Sequence, residues 1–142
     1  MKIFLSLILI VFVSTDAMAC KCRQPNEQLM QEAHLNVDII VRAKIISTIG
    51  AWNGIAPSAR LDITNILKGD KKLTRNLLIN YNPSTAACGY NYQVDQSYII
   101  GLYDTRESKN QAIKGHGYRA VDSCTGYYLR HYFETRKEEE SK

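Results

Sequence analysis

Two cysteines one residue apart, Cys20 and Cys22, stand directly behind Ala17-Met18-Ala19. Residues 1–19 read as a secretory signal peptide: Lys2 gives a positive start, Ile3 to Val13 is an apolar run broken only by Ser6, and Ala17-x-Ala19 fits the small-residue cleavage pattern. The apolar run falls short of the roughly 20 residues that cross a bilayer. Cleavage after Ala19 leaves Cys20 first in the chain with a free α-amine. A lipid on Cys20, as in bacterial lipoproteins, is the alternative and would anchor the protein to a membrane, but such chains usually carry Leu where Ala17 stands. The expected location is therefore secreted, extracellular or periplasmic.

Residues 20–142 suit one compact domain. Losing Lys2 and Asp16 with the leader keeps the net charge at +4. The basic residues are scattered, which argues against a nucleic-acid surface. All four cysteines, Cys20, Cys22, Cys88 and Cys124, survive processing and meet an oxidising compartment, so disulfides are expected rather than a zinc site. In extended chain Cys20 and Cys22 lie about 6.6 Å apart at Cα, near the limit of disulfide reach, so each is expected to find a distant partner. Spacing leaves open which of Cys88 and Cys124 goes with which. Either way the mature terminus is stapled to two remote loops, and each such closure is worth on the order of 4 kcal/mol in the chain-entropy model. Termini ordinarily fray. Holding this one rigid points to a task for it, beside the plainer reading that the bridges only stabilise a small secreted fold.

Leu29, Met30 and Ala33 at helical spacing behind Pro25-Asn26-Glu27 predict a short helix. From Val37 the period is two: Val37, Ile39, Val41, Ala43 and Ile45 share one face of a strand. The segment 49–58, with two Gly, one Pro and the single Trp, reads as a loop with an apolar tip in which Trp52 packs locally. Further strands are expected at Arg60–Leu67, Leu77–Tyr81, Ser97–Tyr103 and Tyr118–Asp122, the first forming a hairpin with the strand before it. Ser97–Tyr103 is apolar on both faces, with Gly101 marking a bend or bulge. Tyr128, Leu129, Tyr132 and Phe133 predict a second helix, and 136–142 a charged, solvated tail. Five short strands with a helix near each end predict a mainly β fold, a closed barrel of the OB type, with a sandwich as the alternative.

The start Cys20-Lys21-Cys22, the strand from Val37 to Ile45 with its Arg42-Ala43-Lys44, the turn Leu67-Lys68-Gly69, the loop Ala87-Cys88-Gly89-Tyr90 and the later Asp122-Ser123-Cys124 together resemble the N-terminal netrin-like domain of the tissue inhibitors of metalloproteinases. The resemblance spans nearly all of residues 20–142. It implies a five-stranded OB-type barrel with flanking helices, and bridges Cys20–Cys88 and Cys22–Cys124. It implies a zinc metalloprotease as partner, with the α-amine and carbonyl of Cys20 chelating the protease's catalytic zinc and no metal or cofactor in the free protein. Lys21 would enter the S1′ pocket, with Cys22 and Arg23 beside it, and Ala86 and Ala87 would form the second half of the contacting wedge. Animal members usually carry Thr or Ser in place of Lys21, an apolar residue in place of Arg23, and a further cysteine near Ala33.

No other chemistry stands out. His34, His116 and His131 lie on separate elements without ligand spacing. The nine tyrosines are read as packing rather than as a stacking platform for nucleic acid, since basic residues are not interleaved with them. No nucleophile and base pair is recognisable, so the chain is not read as an enzyme. It is expected to act as a monomer, without a membrane unless Cys20 is lipidated. A non-inhibitory netrin-like module for binding protein or matrix is the alternative function.

Overall fold

The alternating segment that opens the sheet is β1, Ile39–Ile49, and its inward residues Ile39, Val41, Ala43 and Ile45 are buried. In the computed structural model, which describes residues 20–140, β1 pairs antiparallel with β2 (Ser58–Lys68) on one side and β4 (Ser97–Asp104) on the other. With β3 (Asn76–Asn80) and β5 (Tyr118–Ala120) the strands close a barrel in the order β1-β2-β3-β5-β4. Three register shifts against β2, at Ile40/Val41, Arg42/Ala43 and Ile45/Ser47, let the long β1 curve enough for closure. A five-stranded barrel of this order is the OB arrangement, and the sandwich is excluded. The expected leader, residues 1–19, and residues 141–142 lie outside the described residues. No described helix is long and apolar enough to cross a membrane.

A second cluster covers one side of the barrel. Helix α1 (Glu27–Asn36) is capped by the Asn26 side chain, which accepts from the Leu29 amide at 2.9 Å. Helix α3 (Ser123–Glu140) lies beside it, a single turn, α2 (Gln111–Lys114), having come earlier in the chain. Ala33, Val37, Ile40, Val121 and Leu129 are buried between these helices and the sheet. This explains why Ile40, on the nominally outer face of β1, is fully buried. It also corrects the reading of Gly101. The register of β4 on β1 runs unbroken through the Ile40–Gly101 pair, so there is no bulge. The position is small because a Cβ there would press on Leu129 and Val121.

Lys68, the last residue of β2, caps α1 from outside. Its ammonium donates to the carbonyls of His34, Leu35 and Val37 at 2.6, 3.0 and 2.7 Å, taking up groups that a helix C-terminus leaves open.

Two further expectations change. Trp52 does not pack: it sits at the tip of the β1–β2 hairpin, paired with Ile55 in a tight turn, and is 72% exposed, with Ile49 and Ile55 exposed beside it. The turn satisfies its own backbone and leaves no core for the ring to reach. The charged segment after Thr135 is not a tail as far as Glu140 but the last turns of α3. Arg136 is held there, donating to Glu27 at 2.9 Å and lying 3.6 Å over the Tyr132 ring.

His34 stacks on Tyr132 with centroids 4.4 Å apart. Burial, then the charges of Lys68 and Arg136, push its pKa below the ordinary value near 6.5. A histidine that resists protonation when folded adds stability above its unfolded pKa, and that stability is lost as pH falls through the folded one. The melting temperature should therefore fall on acidification below about pH 6.5, and less steeply in His34→Gln. Equal slopes for the two proteins in thermal melts would overturn this.

Candidate functional site

Residues 20–23 are tied down by three contacts. Cys20 is bonded to Cys88 and Cys22 to Cys124, each pair with Cα atoms 5.2 Å apart and separated by 68 and 102 residues in sequence. Of the two pairings that spacing left open, this one holds, and no described cysteine is free. The third contact comes from α3, where the Tyr128 hydroxyl donates to the Arg23 carbonyl at 3.3 Å.

The loop that receives Cys20 is built by its own sequence. Asn82 organises it: its Oδ1 accepts from the Ser84 amide at 3.0 Å, its Nδ2 donates to the Ala87 carbonyl at 3.2 Å, and its carbonyl accepts from the Tyr90 amide at 2.7 Å. A short 3₁₀ turn, Thr85–Ala87, follows and ends at Cys88 in the left-handed region, φ 56°. A Cβ on the next residue, Gly89, would collide with the backbone of Asn82 and Ser84, so only glycine lets the loop fold back there. The amide of Ser123 donates to the Cys88 carbonyl at 2.9 Å and joins this loop to the start of α3. There the Asp122 carboxylate accepts from the amides of Cys124 and Thr125, both at 3.0 Å, and from the Thr125 hydroxyl at 2.7 Å. It caps the helix that carries Cys124.

The outcome is an edge made of two stretches, 20–23 and 85–89, side by side on rigid supports. Lys21, Arg23 and Ala87 are exposed on it, and Cys20 and Cys22 are half-buried. Ala86 lies in the 3₁₀ turn beside them. Cys20, Cys22, Thr85, Gly89, Tyr90 and Tyr127 line a shallow groove of about 430 Å³ along the edge. Neither Lys21 nor Arg23 forms an ion pair among the described residues. The structure thus brings together every residue singled out in the sequence for protease contact.

In sequence comparison, no protein-family model and no curated protein matches this chain.

Among the described residues no group of three or more His, Cys, Asp or Glu could hold a metal ion. His34 is in the α1–α3 contact, His131 meets the edge of Tyr127, and His116 is exposed. Tyr81, Tyr92 and Tyr118 are buried, and Tyr90 and Tyr98 lie against the barrel core, whereas Tyr103 is exposed. Burial, with Tyr90, Tyr98 and Tyr81 around it, pushes the Tyr92 phenol far up, so it stays neutral.

Asp122, Asn82 and Tyr128 support the edge without having been singled out. An acidic residue three before Thr125 is a helix-start pattern, and Asn-Pro-Ser is a turn pattern, so the first two carried a local signal. Tyr128 carried none, since its partner lies 105 residues away.

Proposed function

We propose that this protein is a secreted inhibitor of a zinc metalloprotease, of the netrin-like type, acting through residue 20. The reading is carried by one observation: both bridges are placed within the first three residues after the expected cleavage site, so the segment most prone to fray is the best anchored. A catalytic zinc keeps one position open for water. An α-amine and the carbonyl of the same residue close a five-membered chelate on such a metal and displace that water. Pre-organisation by two bridges and the Tyr128 hydrogen bond means that little conformational freedom is lost on binding. Two disulfides are compatible with secretion.

In this reading Lys21 projects into the S1′ pocket, flanked by Arg23 and by residues 86 and 87. An exposed, unpaired ammonium entering an apolar pocket is costly unless an acid meets it. The preferred target is therefore a protease whose S1′ pocket is acidic or open to water. The mature protein should inhibit such an enzyme, and Lys21→Thr should shift preference toward enzymes with apolar S1′ pockets, by about tenfold for each 1.4 kcal/mol of desolvation avoided. Inhibition constants across a panel of zinc metalloproteases test this. A panel on which neither protein inhibits anything would overturn the inhibitor reading. The alternative, a netrin-like module that binds protein or matrix without inhibiting, is favoured by Lys21 and Arg23, two cations exposed on the same edge with no ion pair among the described residues.

A further inference from the structure

Between α3 and the outer face of β1 and β4 lies a second cleft, of about 270 Å³. Tyr90, Tyr98 and Tyr127 line it together with Arg42 and Arg130, and it shares Tyr90 and Tyr127 with the groove along the N-terminal edge. Two acids also border it, and both are engaged. Asp122 is spent on the start of α3, and Glu134 lies 3.9 Å from Arg130. The Arg42 guanidinium has no partner among the described residues, although Lys44, two residues on, is paired with Asp95 at 2.9 Å.

Gly126 supplies the second observation. It lies within α3, where glycine costs more than any residue but proline. Gly101 and Gly89 are small because protein atoms crowd them, whereas a Cβ on Gly126 would meet nothing within 4 Å. Gly126 lines the cleft. No packing requirement within the fold explains it, and the empty volume above it is bounded by aromatic rings and one uncommitted cation.

We propose that this cleft binds a small carboxylate carried on a flat or apolar body, with Arg42 pairing the carboxylate, the tyrosine rings against the body, and Gly126 leaving the room. Arginine binds carboxylates through two parallel hydrogen bonds, and ring faces hold flat groups by offset stacking. At about 270 Å³ the cleft sits just below the roughly 300–1,000 Å³ of ordinary ligand sites. It therefore takes one small acid or one acidic side chain rather than a chain of sugars or nucleotides. The carboxylate comes either from a free acid or from a glutamate of a polypeptide lying along the adjoining groove.

Titration of the ¹⁵N-labelled mature protein with benzoate, benzamide and the α-amide of N-acetylglutamate tests the site. The acids should move the amide resonances of Gly101, Gly126 and Tyr127, with a Kd on the order of 1 mM for the better one. Tighter binding of benzoate identifies a free acid, and tighter binding of the acetylglutamate amide identifies a polypeptide side chain. Benzamide, the neutral isostere of benzoate, should bind at least about tenfold more weakly than benzoate, and Arg42→Met should weaken both acids by a similar factor. Gly126→Leu should abolish binding by filling the space, and if that variant does not fold, Arg42→Met alone decides. Absence of shifts at these amides, equal shifts with benzamide, or unchanged affinity in Arg42→Met would each overturn the proposal. An added residue ahead of Cys20 should leave benzoate binding unaltered, so this site stands or falls separately from zinc chelation.

Discussion

Adding a single Ala ahead of Cys20 should abolish inhibition while both disulfides, the barrel and the melting temperature stay as they are. The extension turns the α-amine into an amide, whose nitrogen has no lone pair available for a metal, and places a residue where the zinc would sit. In the proposed chelation the loss should be roughly 100-fold or more in the inhibition constant, because the amine half of the chelate is removed and each tenfold corresponds to about 1.4 kcal/mol. Folding is untouched because Cys20 is held through its side chain to Cys88 and the added residue lies outside that bridge. Inhibition by the unextended protein should also weaken below about pH 7, since an α-amine titrates near pH 7.7–8 and the proton then competes with the metal. Full inhibition by the extended protein would mean that contact is made elsewhere on the surface. The binding-module reading would then replace the inhibitor reading.

Replacing Cys22 and Cys124 together by Ser should cost about 2–5 kcal/mol of stability, the usual loss when a native bridge is removed from a small secreted domain. The bridge closes a separation of 102 residues, among the longest available in this chain, and joins the terminus to the capped first turn of α3. Without it, the Tyr128 hydrogen bond and the Cys20 bridge are what hold Arg23 and its neighbours among the described residues. If residue 20 chelates the protease zinc as proposed, inhibition should fall as well, because that residue then loses conformational entropy on binding. Urea denaturation of the oxidised proteins measures the first effect. A change within error would show that the fold does not depend on this staple and that terminal rigidity has another source.

Much of this protein could be read from its residues. Period-two apolar spacing from Ile39 to Ile45 determined the inner face of β1, because a strand with one buried face must alternate. Val37, read as part of the same face, instead ends α1 and packs in the cluster between the helices and the sheet. An apolar run on both faces from Ser97 to Tyr103 announced a strand covered on each side, and β4 lies between the barrel core and α3, with only Tyr103, at the end of that run, among the exposed large side chains. Cysteine placement determined that the 20–22 segment would be bridged to distant loops, since in extended chain Cys20 and Cys22 lie near the upper limit of disulfide reach and serve each other poorly.

Tertiary structure alone decided the rest. Which distant cysteine each of the two meets depends on where the 85–89 loop and α3 end up, a fact about chain paths rather than spacing. Trp52 is exposed because the hairpin closes on itself beyond the barrel, and a propensity for burial cannot reveal that no core is within reach. Gly101 and Gly126 are the same residue type in regular elements, yet one is crowded by Leu129 and Val121 and the other faces open space. Lys68 looks like an ordinary turn lysine until folding brings its ammonium onto three carbonyls at the end of α1, 31 to 34 residues away. Local chemistry fixes periods, caps and turns because it acts over a few bonds. Pairing, exposure and the shape of a cleft depend on surfaces that are assembled only when distant segments pack.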